Sequence, residues 1–248
     1  MSDTPQPERA RAAAARPPHP PTRGELALYR VCRFIAVGAS RTAFPGRIVG
    51  SENLPASGPY ILAPVHRSYL DWLLVARLTK RRLRYIVKAE VWKSKAVGRF
   101  IEALGAFPVN RSGADRDALE RCRAVLAGGE PLVMFPEGTR RSGERVEDLR
   151  EGVAYLALRA GVPVVPVGIG GSELAMPRGS ALPHPRRVDL VIGRPLRPAP
   201  AAPAGRAARV SRREMRELSD QLQQSIQEAF DEARHLLATT TITGRARS

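Results

Sequence analysis

A chain of 248 residues, 43% of them hydrophobic, is long enough to bury a core, and one domain with tails is the expected layout. Its net charge of +16 and pI near 11.2 call for an anionic partner: a phosphate-bearing substrate, an acidic lipid surface or nucleic acid. Two cysteines, Cys32 and Cys122, offer neither a disulfide framework nor metal-ligand spacing, which fits a reducing compartment.

Residues 1–23 are rich in Pro, Ala and Arg and are expected to be disordered, without the apolar stretch of a secretory signal. The spacing of Leu26, Tyr29, Arg30, Arg33, Phe34, Val37 and Arg41 predicts a helix over residues 24–44, within a segment that ends at residue 47. Arg30, Arg33 and Arg41 are too costly for a bilayer centre, so no transmembrane helix is expected. Two readings of this helix stand side by side. Either it lies in a lipid interface as a basic amphipathic helix, or it packs on the core with solvated arginines.

Residues 48–196 alternate short apolar runs with helical patterns. Strands are expected at 60–63, 84–87, 107–109, 132–135, 164–169 and 188–192, and helices at 69–78, 95–104, 115–127 and 148–160. Gly105, Gly128 and Gly161 stand where helix C-caps belong. The alternation predicts an α/β domain, a mostly parallel or mixed sheet flanked by helices. Pro108, Pro163 and Pro166 mark strand ends, edges or bulges. A Pro/Ala linker follows at 197–209, then a long helix at 210–238 opened by the capping box Ser211-x-x-Glu214, then a polar tail at 239–248. Met215, Leu218, Leu222 and Ala229 give that helix an apolar stripe for packing on the core.

Chemistry concentrates in a few stretches. In APVHRSYLDWLL, residues 63–74, Pro64 ends an apolar run and Ser68 begins a Ser-x-x-Asp capping pattern. His66 then falls in the loop after a strand and Asp71 in the first turn of a helix, where open α/β sheets place their crevices. Asp71 can take a hydrogen bond from one ring nitrogen and leave the other free as a base. It can equally serve as the carboxylate of a capped helix. The second stretch, Phe135-Pro136-Glu137-Gly138-Thr139-Arg140, also follows an apolar run. Its glycine admits close approach of a ligand, and Arg140 offers a planar fork suited to phosphate. Arg111 closes a third stretch, Gly105 to Arg111, and the proline-punctuated run Val162–Ile169 is the fourth.

Each stretch alone is weak, but His-x4-Asp, Gly-x5-Arg, FPEGTR and VPV in this order resemble the four blocks of the glycerolipid acyltransferase superfamily. The likeness is closest to the 1-acylglycerol-3-phosphate (lysophosphatidic acid) acyltransferases, with FPEGTR its most specific part. The turn MPRG, Met176 to Gly179, looks similar as well. The resemblance implies transfer of a fatty acyl group from acyl-CoA or acyl carrier protein to a lysophospholipid hydroxyl, giving phosphatidic acid in phospholipid biosynthesis. It implies His66 as general base and Asp71 as its partner, with Arg111, Glu137, Gly138, Thr139 and Arg140 at the acceptor. Lys88, Val164 and Pro166 would belong to the acyl-donor region. Backbone N–H groups near Gly138 or at the helix start after His66 would face the oxyanion. No cofactor or metal is implied. The expected location is peripheral, on an anionic membrane surface at the cytoplasmic face of the cell membrane.

Val65 stands where these enzymes commonly carry Asn or Ser, and HRSYLD looks more like the glycerol-3-phosphate and dihydroxyacetone-phosphate acyltransferases. Glycerol-3-phosphate, another lysophospholipid or a glycolipid is therefore the alternative acceptor. The remaining alternative is a non-enzymatic basic protein that binds membranes or nucleic acid. With 5% aromatic residues and no nucleic-acid motif, no nucleic acid is expected as a partner.

Overall fold

The computed structural model describes residues 21–88, 92, 94–109, 115–180, 182–198 and 210–245. Residues 1–20 of the expected tail, Arg111, and most of the expected linker lie outside the described residues. The chain begins with helix α1 (Arg23–Ala43), opened by a capping box in which Thr22 and Glu25 bond each other's backbone N–H. Then come β1 (Ile48–Val49), a short 3-10 turn (Ser51–Asn53), β2 (Ile61–Pro64) and α2 (Asp71–Val75). They are followed by β3 (Arg84–Lys88), α3 (Lys95–Ala103), β4 (Ala106–Val109), α4 (Asp115–Ala127) and β5 (Leu132–Val133). The rest is α5 (Gly152–Ala160), β6 (Val164–Gly170), α6 (Ser172–Ala175), β7 (Asp189–Ile192) and the long α7 (Arg212–Arg245).

The strands form one mixed sheet in the order β1-β7-β6-β2-β5-β3-β4, an α/β architecture as expected. Every neighbouring pair is parallel except β6 with β7. Strands β2 and β6 lie at its centre, and Ile61, Leu62, Ala63, Val164, Val165 and Val167 are fully buried there. That is why both read as continuous apolar runs rather than alternating ones. Pro108 sits on β4, an edge strand, where a missing N–H costs no ladder bond. Pro166 sits on a central strand, between the β7 ladder that begins at Val167 and a single bridge from Val164 to Leu196.

Helix α7 packs on β6 and β7. Its buried stripe is Leu218, Leu222, Ile226, Ala229, Phe230 and Ala233. Close approach here needs glycine: a Cβ on Gly168 would lie 2.1 Å from the Ala229 carbonyl oxygen. Helix α1 packs on α2 and α3 through Tyr29, Val37 and Ser40. Arg33, expected to be solvated, instead donates to the carbonyls of Ala76 and Thr79. No helix among the described residues is long and apolar enough to cross a membrane.

Several boundaries differ from expectation. Asp148 takes a left-handed backbone (φ 54), so α5 begins at Gly152 rather than at residue 148. The C-terminal helix runs through the expected tail to Arg245, and Thr239 bonds back to the His235 carbonyl one turn earlier. Strand β5 stops at Val133, and β1, only two residues long, carried no readable pattern.

Candidate active site

Parallel strands β2 and β5 pair directly, Ile61 with Leu132 and Leu62 with Val133, so the loops after them emerge side by side. On the other flank β6 runs parallel to β2, bringing a third loop to the same edge. The first loop carries His66, the second Glu137 to Arg140, and the third leads to α6 and Arg178. Sheet order thus gathers residues that the sequence keeps far apart, in the crevice beyond the carboxyl ends of the strands.

His66 Nδ1 lies 2.9 Å from Asp71 Oδ2. Asp71 is fully buried, whereas the imidazole side chain is 19% exposed. The ring stacks on Phe135 with centroids 4.1 Å apart and 28° between planes. Its other nitrogen, Nε2, has no partner among the described residues. Asp71 Oδ2 also accepts the backbone N–H groups of Arg67 at 2.7 Å and Ser68 at 2.8 Å. The carboxylate reaching back to Ser68 is one half of a capping box. Ser68 Oγ bonds the N–H of Leu70 rather than that of Asp71, and α2 is shorter than expected, starting at Asp71. One oxygen therefore caps the turn and holds the imidazole, and the two readings of Asp71 are both satisfied. Its second oxygen, Oδ1, is buried with no hydrogen-bond partner.

Glu137 is 1% exposed and faces the protein rather than the crevice. Its Oε2 accepts the backbone N–H of His66 at 2.8 Å, and its Oε1 takes Arg67 Nη1 at 2.6 Å. Arg67, unremarked in the sequence, is the hub of the site. It is 4% exposed and donates further to the carbonyls of His66, Gly143 and Arg145. Its guanidinium also lies over the Phe230 ring of α7, 5.1 Å from the centroid. An arginine buried this deeply persists because its charge is paired and each of its three side-chain nitrogens finds an oxygen.

The loop after β5 returns beside His66, with Arg141 N–H donating to the His66 carbonyl at 3.0 Å. Gly138 has a left-handed backbone (φ 67), and a Cβ there would come within 2.3 Å of Arg150 Nε. Its N–H donates to the Phe135 carbonyl, while those of Arg67 and Ser68 go to Asp71. Among the amides near Gly138 and before the helix that follows His66, these three are engaged within the protein. Thr139 and Arg140 line an open cavity of about 300 Å³, and the Arg140 guanidinium stacks on Tyr69, 3.3 Å from the ring centroid.

The acyl-donor candidates lie elsewhere. Val164 and Pro166 are buried within the central strand β6, and Lys88 ends β3, two strands from β2. Arg111 lies outside the described residues. No cluster of three or more metal-ligating side chains occurs among the described residues.

The model of the acyltransferase family matches residues 46–170. Over 153 residues the chain is 31% identical to the Arabidopsis thaliana protein named 1-acyl-sn-glycerol-3-phosphate acyltransferase LPAT1, chloroplastic, covering 60% of this chain and 43% of that one. The Bacillus subtilis (strain 168) 1-acyl-sn-glycerol-3-phosphate acyltransferase is 29% identical over 154 residues, covering 62% of this chain and 74% of that one. Among solved structures, the 1-acyl-sn-glycerophosphate (LPA) acyltransferase PlsC from Thermotoga maritima superposes with a TM-score of 0.58 at 26% identity, covering 79% of this chain and 77% of that one. The chain spans only 39% to 53% of the Brassica napus, Arabidopsis thaliana and Chlamydomonas reinhardtii relatives.

Proposed function

Because the chain belongs to the acyltransferase family, we propose that it transfers a fatty acyl group from a thioester to the free hydroxyl of 1-acylglycerol-3-phosphate, forming phosphatidic acid. The observation that carries this reading is the His66–Asp71 contact at 2.9 Å, with Nε2 of a partly exposed ring left unpartnered. The names of the Arabidopsis and Bacillus relatives support the acceptor.

In this mechanism His66 Nε2 removes the proton from the acceptor hydroxyl as its oxygen attacks the thioester carbonyl. Asp71 fixes the ring so that Nδ1 carries the proton, and its charge stabilises the imidazolium that forms. General-base catalysis of this kind contributes about 10²- to 10⁴-fold in rate. The tetrahedral intermediate then expels the thiolate of the donor, which takes the proton back from Nε2. The acyl group passes directly to the acceptor, with no covalent enzyme intermediate. Cys122 is buried, and neither cysteine neighbours a motif in sequence, so no cysteine nucleophile is invoked. Arg140 holds the acceptor phosphate with Arg111, and acyl-CoA or acyl carrier protein delivers the acyl chain.

A membrane surface supplies the acceptor lipid. Leu28, Val31, Phe34 and Ile35 on α1 are 43%, 57%, 80% and 63% exposed, opposite the packed face of Tyr29 and Val37. An apolar stripe of this kind with Arg30 and Arg41 exposed beside it suits an anionic lipid interface, which supports a peripheral location; the proposed surface is the cytoplasmic face of the cell membrane. Thiol release from acyl-CoA and from acyl carrier protein, measured against lysophosphatidic acid, glycerol-3-phosphate and a phosphate-free monoacylglycerol, tests the reaction. Release with lysophosphatidic acid alone is expected. Faster release with glycerol-3-phosphate moves the acceptor, and none with any pair removes the reading.

A further inference from the structure

We propose that Arg145 and Arg178 complete, with Arg140, a binding site for the acceptor's phosphomonoester, an assignment that rests on the acyl-transfer reading above. All three line a single cavity of about 300 Å³, whose wall also includes Arg141, the residue bonded to the His66 carbonyl. None of the three guanidinium groups forms an ion pair among the described residues. Two carboxylates share the cavity wall, Glu147 and Asp148, and Asp148 is engaged by Arg141 at 3.2 Å. The cavity is therefore left with an excess of unneutralised guanidinium charge. Like charges held together without counterions repel, and a bound dianion relieves that repulsion.

Placement fits a headgroup whose hydroxyl must reach the base. Arg140 and Arg145 come from the loop after β5, and Arg178 comes from the turn after α6, the third loop delivered to the crevice by β6. That turn is fastened to the His66 loop by Ser68 Oγ, which donates to the Met176 carbonyl at 3.3 Å. The opposite wall is fastened by the bond from Arg141 N–H to the His66 carbonyl at 3.0 Å. The Arg145 carbonyl is held by Arg67, which fixes the stem from which that side chain projects. At about 300 Å³ the cavity lies at the small end of ligand pockets, which run to about 1,000 Å³. It suits a glycerol phosphate headgroup and not the whole of an acyl-coenzyme A. Guanidinium forks from two separate loops can grip a tetrahedral phosphate from different sides, which a single lysine cannot do.

The test titrates glycerol-3-phosphate into the full chain and into R145Q and R178Q by calorimetry, with glycerol as the phosphate-free control. Both arginines are exposed, so the variants should keep the parent's thermal midpoint. Each should bind glycerol-3-phosphate about tenfold more weakly, as expected for loss of one charge-assisted contact. Each should also raise KM for lysophosphatidic acid by a similar factor while kcat and the donor KM stay within about twofold. The proposal falls if both variants bind glycerol-3-phosphate like the parent, if the parent does not bind it at all, or if only the donor KM rises. Failure of the acyl-transfer reading is separately visible as absence of thiol release from the parent chain, and the calorimetry then still decides the site.

Discussion

The Glu137 carboxylate accepts the backbone N–H of His66 at 2.8 Å. Its other oxygen is held by the buried Arg67, so both carboxylate oxygens of Glu137 brace the loop that carries His66, the proposed base. Glu137→Ala should leave Arg67 uncompensated and lower stability by about 3–5 kcal/mol, read from urea unfolding. Glu137→Gln keeps an acceptor for the His66 amide and should lower kcat more than it raises the acceptor KM. A variant as stable as the parent with only a raised acceptor KM would return Glu137 to the substrate.

Replacing His66 by Ala removes the proposed base while Asp71 keeps its two backbone contacts. Acyl transfer should fall by about 10²- to 10⁴-fold with little change in thermal midpoint. Asp71→Asn separates the two duties of that side chain, because Asn can cap the turn but cannot stabilise an imidazolium. Activity near the parent level in Asp71→Asn would mean that capping is its whole role.

Phe34 and Ile35 point outward from a helix already packed on its other face. The double change Phe34→Ser, Ile35→Ser should weaken sedimentation with anionic phospholipid vesicles and leave the thermal midpoint unchanged. Undiminished sedimentation would assign lipid contact to another surface.

Gly168→Ala would drive a methyl to 2.1 Å from the Ala229 carbonyl oxygen, a backbone atom that can yield only if α7 shifts. The expected loss is about 1–3 kcal/mol or more in denaturant unfolding.

Burial raises the Cys122 thiol from its ordinary 9.0 to about 12. Above pH 9 the unfolded chain ionises this thiol while the folded chain keeps it protonated. Its contribution is thus full below pH 9 and declines toward pH 12, by about 1.4 kcal/mol per pH unit at most. At pH 8 a chromogenic thiol reagent should leave Cys122 unlabelled until urea is added. Labelling at the rate of the unfolded chain would show that the thiol is open to solvent.

The site was legible in sequence where the chemistry is local. His66 and Asp71 are five positions apart, and strand, turn and cap signals allowed the two to meet, while the family resemblance was needed to choose that reading over a capped helix alone. Glu137 was found, but its direction was not, because nothing in FPEGTR shows which way a carboxylate points. Arg67 went unnoticed for the same reason: its partners Glu137, Gly143 and Arg145 lie 70 to 78 positions away and meet it only through the β2–β5 pairing. Sheet order was equally hidden, since the antiparallel return of β7 depends on contacts with β1 and α7 rather than on a pattern of its own. Helix periods read well, although Asp148 broke one early and the threonines near residue 239 disguised another's length.

Helix α7 also sets a schedule. Gln227 accepts the N–H of Val146 across 81 positions of chain and donates to the Glu144 carbonyl, while Phe230 lies against Arg67. A ribosome therefore releases His66, Asp71 and Glu137 well before the helix that holds their loop in shape. Until α7 docks, the stretch around Arg145 lacks these braces, so a chain still being translated carries His66, Asp71 and Glu137 before the loop beside them is held in shape. The bonds from Gln227 to this loop therefore wait for synthesis of α7.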